Sequence, residues 1–278
     1  MRNIKIVADS SADIRTLEGA QFSAAPLKIV TDEREFVDDG SLNVEEMVEY
    51  LQGYSGKSST SCPNTGDWLT AFSDAEEVYC VTITSGLSGS FNAARVAAEQ
   101  YVAEHPERKV LVIDSLSTGG EMVLIMEKIR DLVLEDKTFE EISAEIKKYQ
   151  QKLGLLFMLQ SMRNLANNGR VSKLSAKFAG LMNIRVVGKA SDEGTLEPLD
   201  KVRGEKATLQ KMVERLEELG YRGGKLRITH CLNAEMAVQL KDLVSKKFQK
   251  AQIAIEKCGG LCSFYAEKGG MIVGFEKA

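Results

Sequence analysis

The chain has 278 residues, of which 44% are hydrophobic and 27% charged, enough for one large or two ordinary domains with substantial cores. Its 36 Lys and Arg against 40 Asp and Glu leave a net charge of -4, so no global field draws it to nucleic acid or to an anionic membrane. No apolar run approaches the roughly 20 residues that cross a bilayer, and stable membrane insertion is not expected.

Residues 4–8 form a strand at once, without the apolar stretch of a signal peptide, so a cytoplasmic location is expected. Residues 27–30, 78–83 and 110–113 are also short, β-branched strands bounded by turn residues. Between them, residues 44–51, 88–104 and 120–134 carry helical spacing. This alternation predicts a three-layer α/β domain with a mainly parallel sheet over 1–150. Residues 31–40 are acidic and turn-like, and an exposed loop or hairpin region is expected near 31–66.

The rhythm changes near residue 150. Residues 155–159 form a buried-strand pattern, followed by short helical stretches at 161–168 and 172–182. Two strands at 184–187 and 195–199, separated by Ser191-Asp192-Glu193-Gly194, predict a hairpin. An amphipathic helix over 203–219, a strand at 226–229, a helix over 234–248 and strands at 252–255 and 271–275 follow. Helices mixed with hairpin strands predict a second, α+β domain over 151–278 with a mixed, partly antiparallel sheet.

Three strand ends carry hydroxyls or acids ahead of a helix: Asp9-Ser10-Ser11, Thr84-Ser85-Gly86-Leu87-Ser88-Gly89-Ser90 and Asp114-Ser115-Leu116-Ser117-Thr118. In a parallel sheet such ends share one rim, where ligands bind beyond the strand carboxyl termini. A rim rich in hydroxyls and helix N-terminal N–H groups suits a small anion such as a carboxylate or phosphate. Asp9 and Asp114 suit turn and cap roles, and could orient neighbouring serine hydroxyls.

Several catalytic readings are weaker. Gly53-Tyr54-Ser55-Gly56-Lys57-Ser58 lacks the first glycine and the preceding strand of a phosphate-binding loop. Ser85-Gly86-Leu87-Ser88-Gly89 resembles a nucleophile elbow only loosely, and a serine hydrolase needs a histidine base in reach. The chain offers His105, at a polar helix end, and His230, after a strand. An esterase or phosphotransfer enzyme on the same rim is the alternative to a binding protein. The five cysteines read as free thiols, and Cys258 and Cys262 have no matching half to complete a metal site.

The segments Ile6-Val7-Ala8-Asp9-Ser10-Ser11-Ala12-Asp13, Thr60-Ser61-Cys62-Pro63-Asn64-Thr65-Gly66, Ser85-Gly86-Leu87-Ser88-Gly89-Ser90, Val112-Ile113-Asp114-Ser115, Asn168-Gly169-Arg170-Val171-Ser172-Lys173 and Lys201-Val202-Arg203-Gly204 occur in register. In that order they resemble the DegV family of bacterial fatty-acid-binding proteins. The resemblance implies a two-domain α/β fold that holds a long-chain fatty acid between its domains, with no cofactor and no catalysis. It implies that Thr60 and Ser88 grip the carboxylate, with Ser61, Ser85 and the Gly86 amide as neighbours. Asp9, Ser115 and Tyr265 would stand behind them.

The resemblance further implies a carrier that presents the carboxylate to a separate fatty acid kinase, docking through Arg170, Lys173 and Arg203. Neutral donors can hold a carboxylate without a salt bridge, and an apolar tunnel contributes about 0.8 kcal/mol per buried CH₂. Residues 155–159 and 178–182 are candidates to line it. One departure stands out: Tyr265 and Glu267-Lys268 replace the histidine and part of the Gly-Pro-Gly turn common in the family.

Overall fold

The computed structural model describes residues 2–171 and 184–278. A parallel sheet in the order β2-β1-β6-β7 is built from β1 (Ile4–Asp9), β2 (Phe22–Ala25), β6 (Glu77–Thr82) and β7 (Lys109–Asp114). Strand alternation sends Ile6, Ala8, Tyr79 and Val81 to one face, against α4 (Gly120–Leu134) and α5 (Phe139–Gln150). Val7, Val78 and Cys80 go to the other, against α2 (Thr65–Phe72) and α3 (Ser90–Glu104). Two cores on one sheet make the expected three layers.

A small antiparallel sheet flanks this body, in the order β4-β3-β5: β3 (Lys28–Thr31), β4 (Glu35–Val37) and β5 (Ser58–Ser61). The β3–β4 pair is the hairpin expected near residues 31–40. Helix α1 (Val44–Gly53) follows it, capped by the Asn43 side chain.

The second large sheet has six strands in the order β10-β9-β8-β13-β11-β12. They are β8 (Leu153–Leu159), β9 (Ile184–Ala190), β10 (Leu196–Arg203), β11 (Lys225–His230), β12 (Gln252–Lys257) and β13 (Met271–Glu276). Only β11 and β12 pair in parallel, so the sheet is mixed as expected. Helices α7 (Glu205–Glu218) and α8 (Ala234–Lys247) cover one face around Leu156, Met158 and Val273. On the opposite face, Leu155, Phe157 and Leu159 join α9 (Gly260–Ala266) and α6 (Arg163–Asn167).

Helix α4 lies between the two large sheets, and Met122 through Met126 are all buried. A Cβ on Gly120 would come within 2.4 Å of the Arg227 carbonyl oxygen, and one on Gly274 within 2.1 Å of the Glu121 nitrogen. Only glycine at both points lets helix and sheet approach so closely. Across the same contact Arg227 forms a bidentate ion pair with Glu127.

Some local expectations need correction. Residues 58–61, within the loop or hairpin region expected near 31–66, form β5, because backbone pairing with β3 outweighs the low strand preference of serine. The helix expected from Arg203 starts at Glu205, and Arg203 is the last residue of β10. The helix expected from Ser88 begins at Ser90. The helical stretch expected at 172–182 lies outside the described residues, apart from which β2, α5 and α9 are elements the sequence reading did not contain.

Candidate ligand-binding site

A cavity of about 310 Å³ opens between the two large sheets, a volume at the lower end of the range for small-molecule pockets. Much of its wall is apolar. Leu155, Phe157 and Leu159 enter it from alternate positions of β8, and Ile272 enters from the neighbouring β13. The period of two along β8 decides this choice: Leu156 and Met158 face the opposite core. The expected lining by residues 155–159 is therefore carried by the odd-numbered members, and residues 178–182 lie outside the described residues.

The polar groups of the cavity are linked to one another. Thr60 Oγ1 and Tyr265 Oη are 2.7 Å apart. Arg170, after α6, also lines the cavity, and its Nε donates to the Leu87 carbonyl at 3.3 Å. Ser88 follows directly and lines the same cavity, as does Ser61. The sequence thus converges four separate segments: β5, the β6–α3 loop, the turn after α6, and α9.

Hydroxyl chemistry fixes what this cluster offers. One hydroxyl of the Thr60–Tyr265 pair donates to the other, leaving one O–H free to turn toward a ligand. Ser88 Oγ accepts from the Ser90 N–H at 3.2 Å, so its own hydrogen also remains available. Burial pushes the Tyr265 phenol up, while Thr60 and the Arg170 guanidinium act against that shift. Tyr265 is therefore a neutral donor beside a fixed cation. Two hydroxyl donors and a guanidinium at one end of an apolar cavity suit an amphipathic anion.

Asp9 stands behind this cluster. It is fully buried and accepts from the Ser11 hydroxyl, from Ser90 Oγ at 2.6 Å and from the Ile83 N–H at 2.9 Å. Burial pushes its carboxyl up despite these donors. Through Ser90 it holds the start of α3, whose first N–H contacts Ser88.

Other expected residues are placed elsewhere. Ser85 is exposed, its N–H donates to Asp114 Oδ1 at 3.1 Å, and it is not among the residues lining the cavity. The Gly86 N–H is committed to Thr84 Oγ1 at 3.1 Å. A Cβ on Gly86 would sit 2.9 Å from the Glu193 carbonyl oxygen, so this glycine admits the β9–β10 turn. Ser115 closes its own turn, donating to the Ser117 carbonyl at 3.0 Å, and lines a separate depression with Glu121.

Arg170, assigned in sequence to a docking surface, lines the cavity, so the polar end is not wholly neutral. Arg203 is exposed at the end of β10, and Lys173 lies outside the described residues. His230 is buried and lines a different depression with Lys257 and Cys258. Its Nδ1 already accepts the Asn233 N–H at 3.1 Å. His105 is partly exposed, just past the end of α3. The five cysteines are free thiols, and among the described residues no group of three or more His, Cys, Asp or Glu is placed to hold a metal.

Cys62 and Cys262 also line the cavity, although the sequence reading gave neither a site role. Position beside Thr60-Ser61 was the available signal for Cys62. Nothing local marked Cys262, whose helix the sequence reading missed.

Comparison with known proteins places this geometry. The model of the family described as "Uncharacterised protein, DegV family" matches residues 3–278. A DegV domain-containing protein of Streptococcus pneumoniae is 44% identical over 276 residues, covering 98% of each chain. The structure of a DegV family protein from Eubacterium eligens loaded with heptadecanoic acid is 45% identical. It covers 99% of this chain and 100% of its own, with a TM-score of 0.97. The Streptococcus pneumoniae Fatty Acid Kinase (Fak) B3 protein loaded with linoleic acid is 43% identical, covers 100% of both chains and also has a TM-score of 0.97.

Proposed function

The chain belongs to the DegV family, and on that premise we propose that it is a cytoplasmic carrier of a long-chain fatty acid. The acid lies between two domains, 1–150 and 151–278. Its carboxylate meets Thr60, Ser88, Tyr265 and Arg170, with Ser61 at the edge, and its tail lies along the odd-numbered leucines and Phe157 of β8. The observation that carries this reading is the joining of an apolar cavity to a linked cluster of hydroxyls and one guanidinium. Relatives of similar size and fold loaded with heptadecanoic and linoleic acids support it.

The protein binds and presents, and does no chemistry of its own. A serine esterase would need a histidine within hydrogen-bond reach of Ser88, whereas His230 lies in another depression. The carboxylate is held for a separate fatty acid kinase, with Arg203 on the face that meets it, and no cofactor is required. The name of the pneumococcal relative supports a kinase connection. Among the described residues no helix is long and apolar enough to cross a membrane, which fits a carrier that exchanges lipid without spanning the bilayer.

Displacement of a fluorescent fatty acid from the Thr60→Ala/Ser88→Ala double variant tests the assignment. Loss of two hydroxyl contacts to a carboxylate weakens binding at least about tenfold, with the fold intact by circular dichroism. Unchanged affinity in a folded double variant would remove this head-group site.

A further inference from the structure

Helix α9 is seven residues long, too short to be stable alone, and its own sequence supplies no side-chain cap. Yet Leu261, Cys262, Tyr265 and Ala266, four of those seven residues, line the cavity. Its N-terminal N–H groups are taken up from more than 200 residues away. Asp38 Oδ1 accepts the Gly260 N–H at 2.8 Å, and Oδ2 accepts the Leu261 N–H at 2.9 Å. Asp13 Oδ1 accepts the Gly259 N–H at 2.8 Å.

Asp38 is itself firmly placed. It is fully buried, its backbone N–H donates to the Leu27 carbonyl at 2.9 Å, and the partly exposed Arg15 guanidinium pairs with Oδ1. A Cβ on Gly260 would lie 2.6 Å from Leu42 Cδ2 and 3.0 Å from Asp38 Cγ, so the helix start is pressed against the carboxylate. Leu261 and Tyr265, four residues apart, share one helix face. Fixing the first N–H groups therefore fixes the direction in which Tyr265 reaches Thr60.

We propose that Asp38 is a positioning residue for the head-group site: by binding the N-terminus of α9 it sets the Tyr265 hydroxyl against Thr60. This rests on the fatty-acid reading above. Asp38 is not among the residues lining the cavity, and acts through the seven-residue helix. Asp13 supports the same N-terminus, while Asn164 Nδ2 holds the other end through the Phe264 carbonyl at 2.8 Å.

The test compares the affinity of Asp38→Asn for oleic acid and for methyl oleate, alone and combined with Tyr265→Phe. The inference predicts a roughly fivefold to tenfold loss for the acid and little change for the ester, which lacks the charged head group. It also predicts that the losses of Asp38→Asn and Tyr265→Phe do not add, since both act through one hydroxyl. Should Asp38→Asn not fold, Arg15→Gln, which frees the same carboxylate from its cation, shows a smaller loss with the same acid-over-ester selectivity.

Equal losses for acid and ester, or additive losses in the double variant, would overturn the inference while leaving the fatty-acid reading in place. Failure of the wild-type protein to bind oleic acid overturns both.

Discussion

Thr60 Oγ1 and Tyr265 Oη, 205 residues apart in the chain, meet at 2.7 Å and join the small sheet to helix α9. Their contact ties the N-terminal half of the cavity wall to the C-terminal half. Tyr265 brings a phenol to this contact, in place of the histidine that the family resemblance implies. A phenol is neutral throughout the physiological range, whereas a histidine can change charge there. Tyr265→Phe keeps the ring against Phe264 but removes the hydroxyl. It is expected to weaken fatty acid binding about fivefold, near 1 kcal/mol, with little change in melting temperature. A titration of the purified variant with oleic acid checks this.

Arg170 brings the one cation placed on the cavity by the described lining residues. A charge-assisted contact to a carboxylate contributes about 1.5–3 kcal/mol. Arg170→Gln is therefore expected to weaken binding of the acid by roughly tenfold or more, and to flatten its dependence on salt. Affinity for a fatty alcohol of equal length should hardly move. Equal weakening for acid and alcohol would assign Arg170 a packing role instead.

Glu121 and Asp13 predict an unusual response to pH. Burial pushes each carboxyl up to about 7, Glu121 from 4.5 against its contact with Ser117 and Asp13 from 3.8 against the Gly259 N–H. A raised folded-state pKa means the folded protein holds the proton more tightly than the unfolded chain. Their contribution is full below pH about 4 and is lost as pH rises through about 7. Urea midpoints should therefore fall between pH 5.5 and 8. Glu121→Gln mimics the protonated acid and should raise stability at pH 8 by on the order of 2–3 kcal/mol. Below pH 4 it should change little, and a variant no more stable than wild type at pH 8 contradicts the assignment.

Much of the architecture is legible in sequence because its elements are strongly periodic. Three of the four parallel strands of the first sheet, β1, β6 and β7, follow from apolar spacing and turn residues, as do the amphipathic α7 and the hairpin around residues 191–195, whereas the strand expected at 27–30 pairs antiparallel as β3. Helix α5 was also within reach, since Thr138 and Glu141 form a capping box ahead of buried Ile142 and Ile146. The strand β5 was not, because Ser58–Ser61 has the composition of a loop and becomes a strand only by pairing with β3. Helix α9 was hidden for a related reason: its caps are Asp13 and Asp38, which no local pattern connects to Gly259 and Gly260.

The site divides in the same way. Ser88 stands out by residue type on a strand-end rim, Thr60 and Ser61 enter through the family resemblance, and the structure gathers all three on one cavity. Ser85, Gly86 and Ser115 share that chemistry, but their polar groups are used by the turns they build. Hydroxyl content alone cannot tell a turn from a ligand contact. Arg170 shows the converse, since its charge was visible and its direction was not. That direction is set by bonds to the Asn168 and Leu87 carbonyls, the second a long-range contact.

Denaturing mass spectrometry of an organic extract from the purified protein tests the central claim most directly. A carrier with this cavity retains cellular lipid through purification, so the account predicts one long-chain fatty acid per protein molecule. An extract free of fatty acid, together with no rise in melting temperature when fatty acids are added, would contradict it.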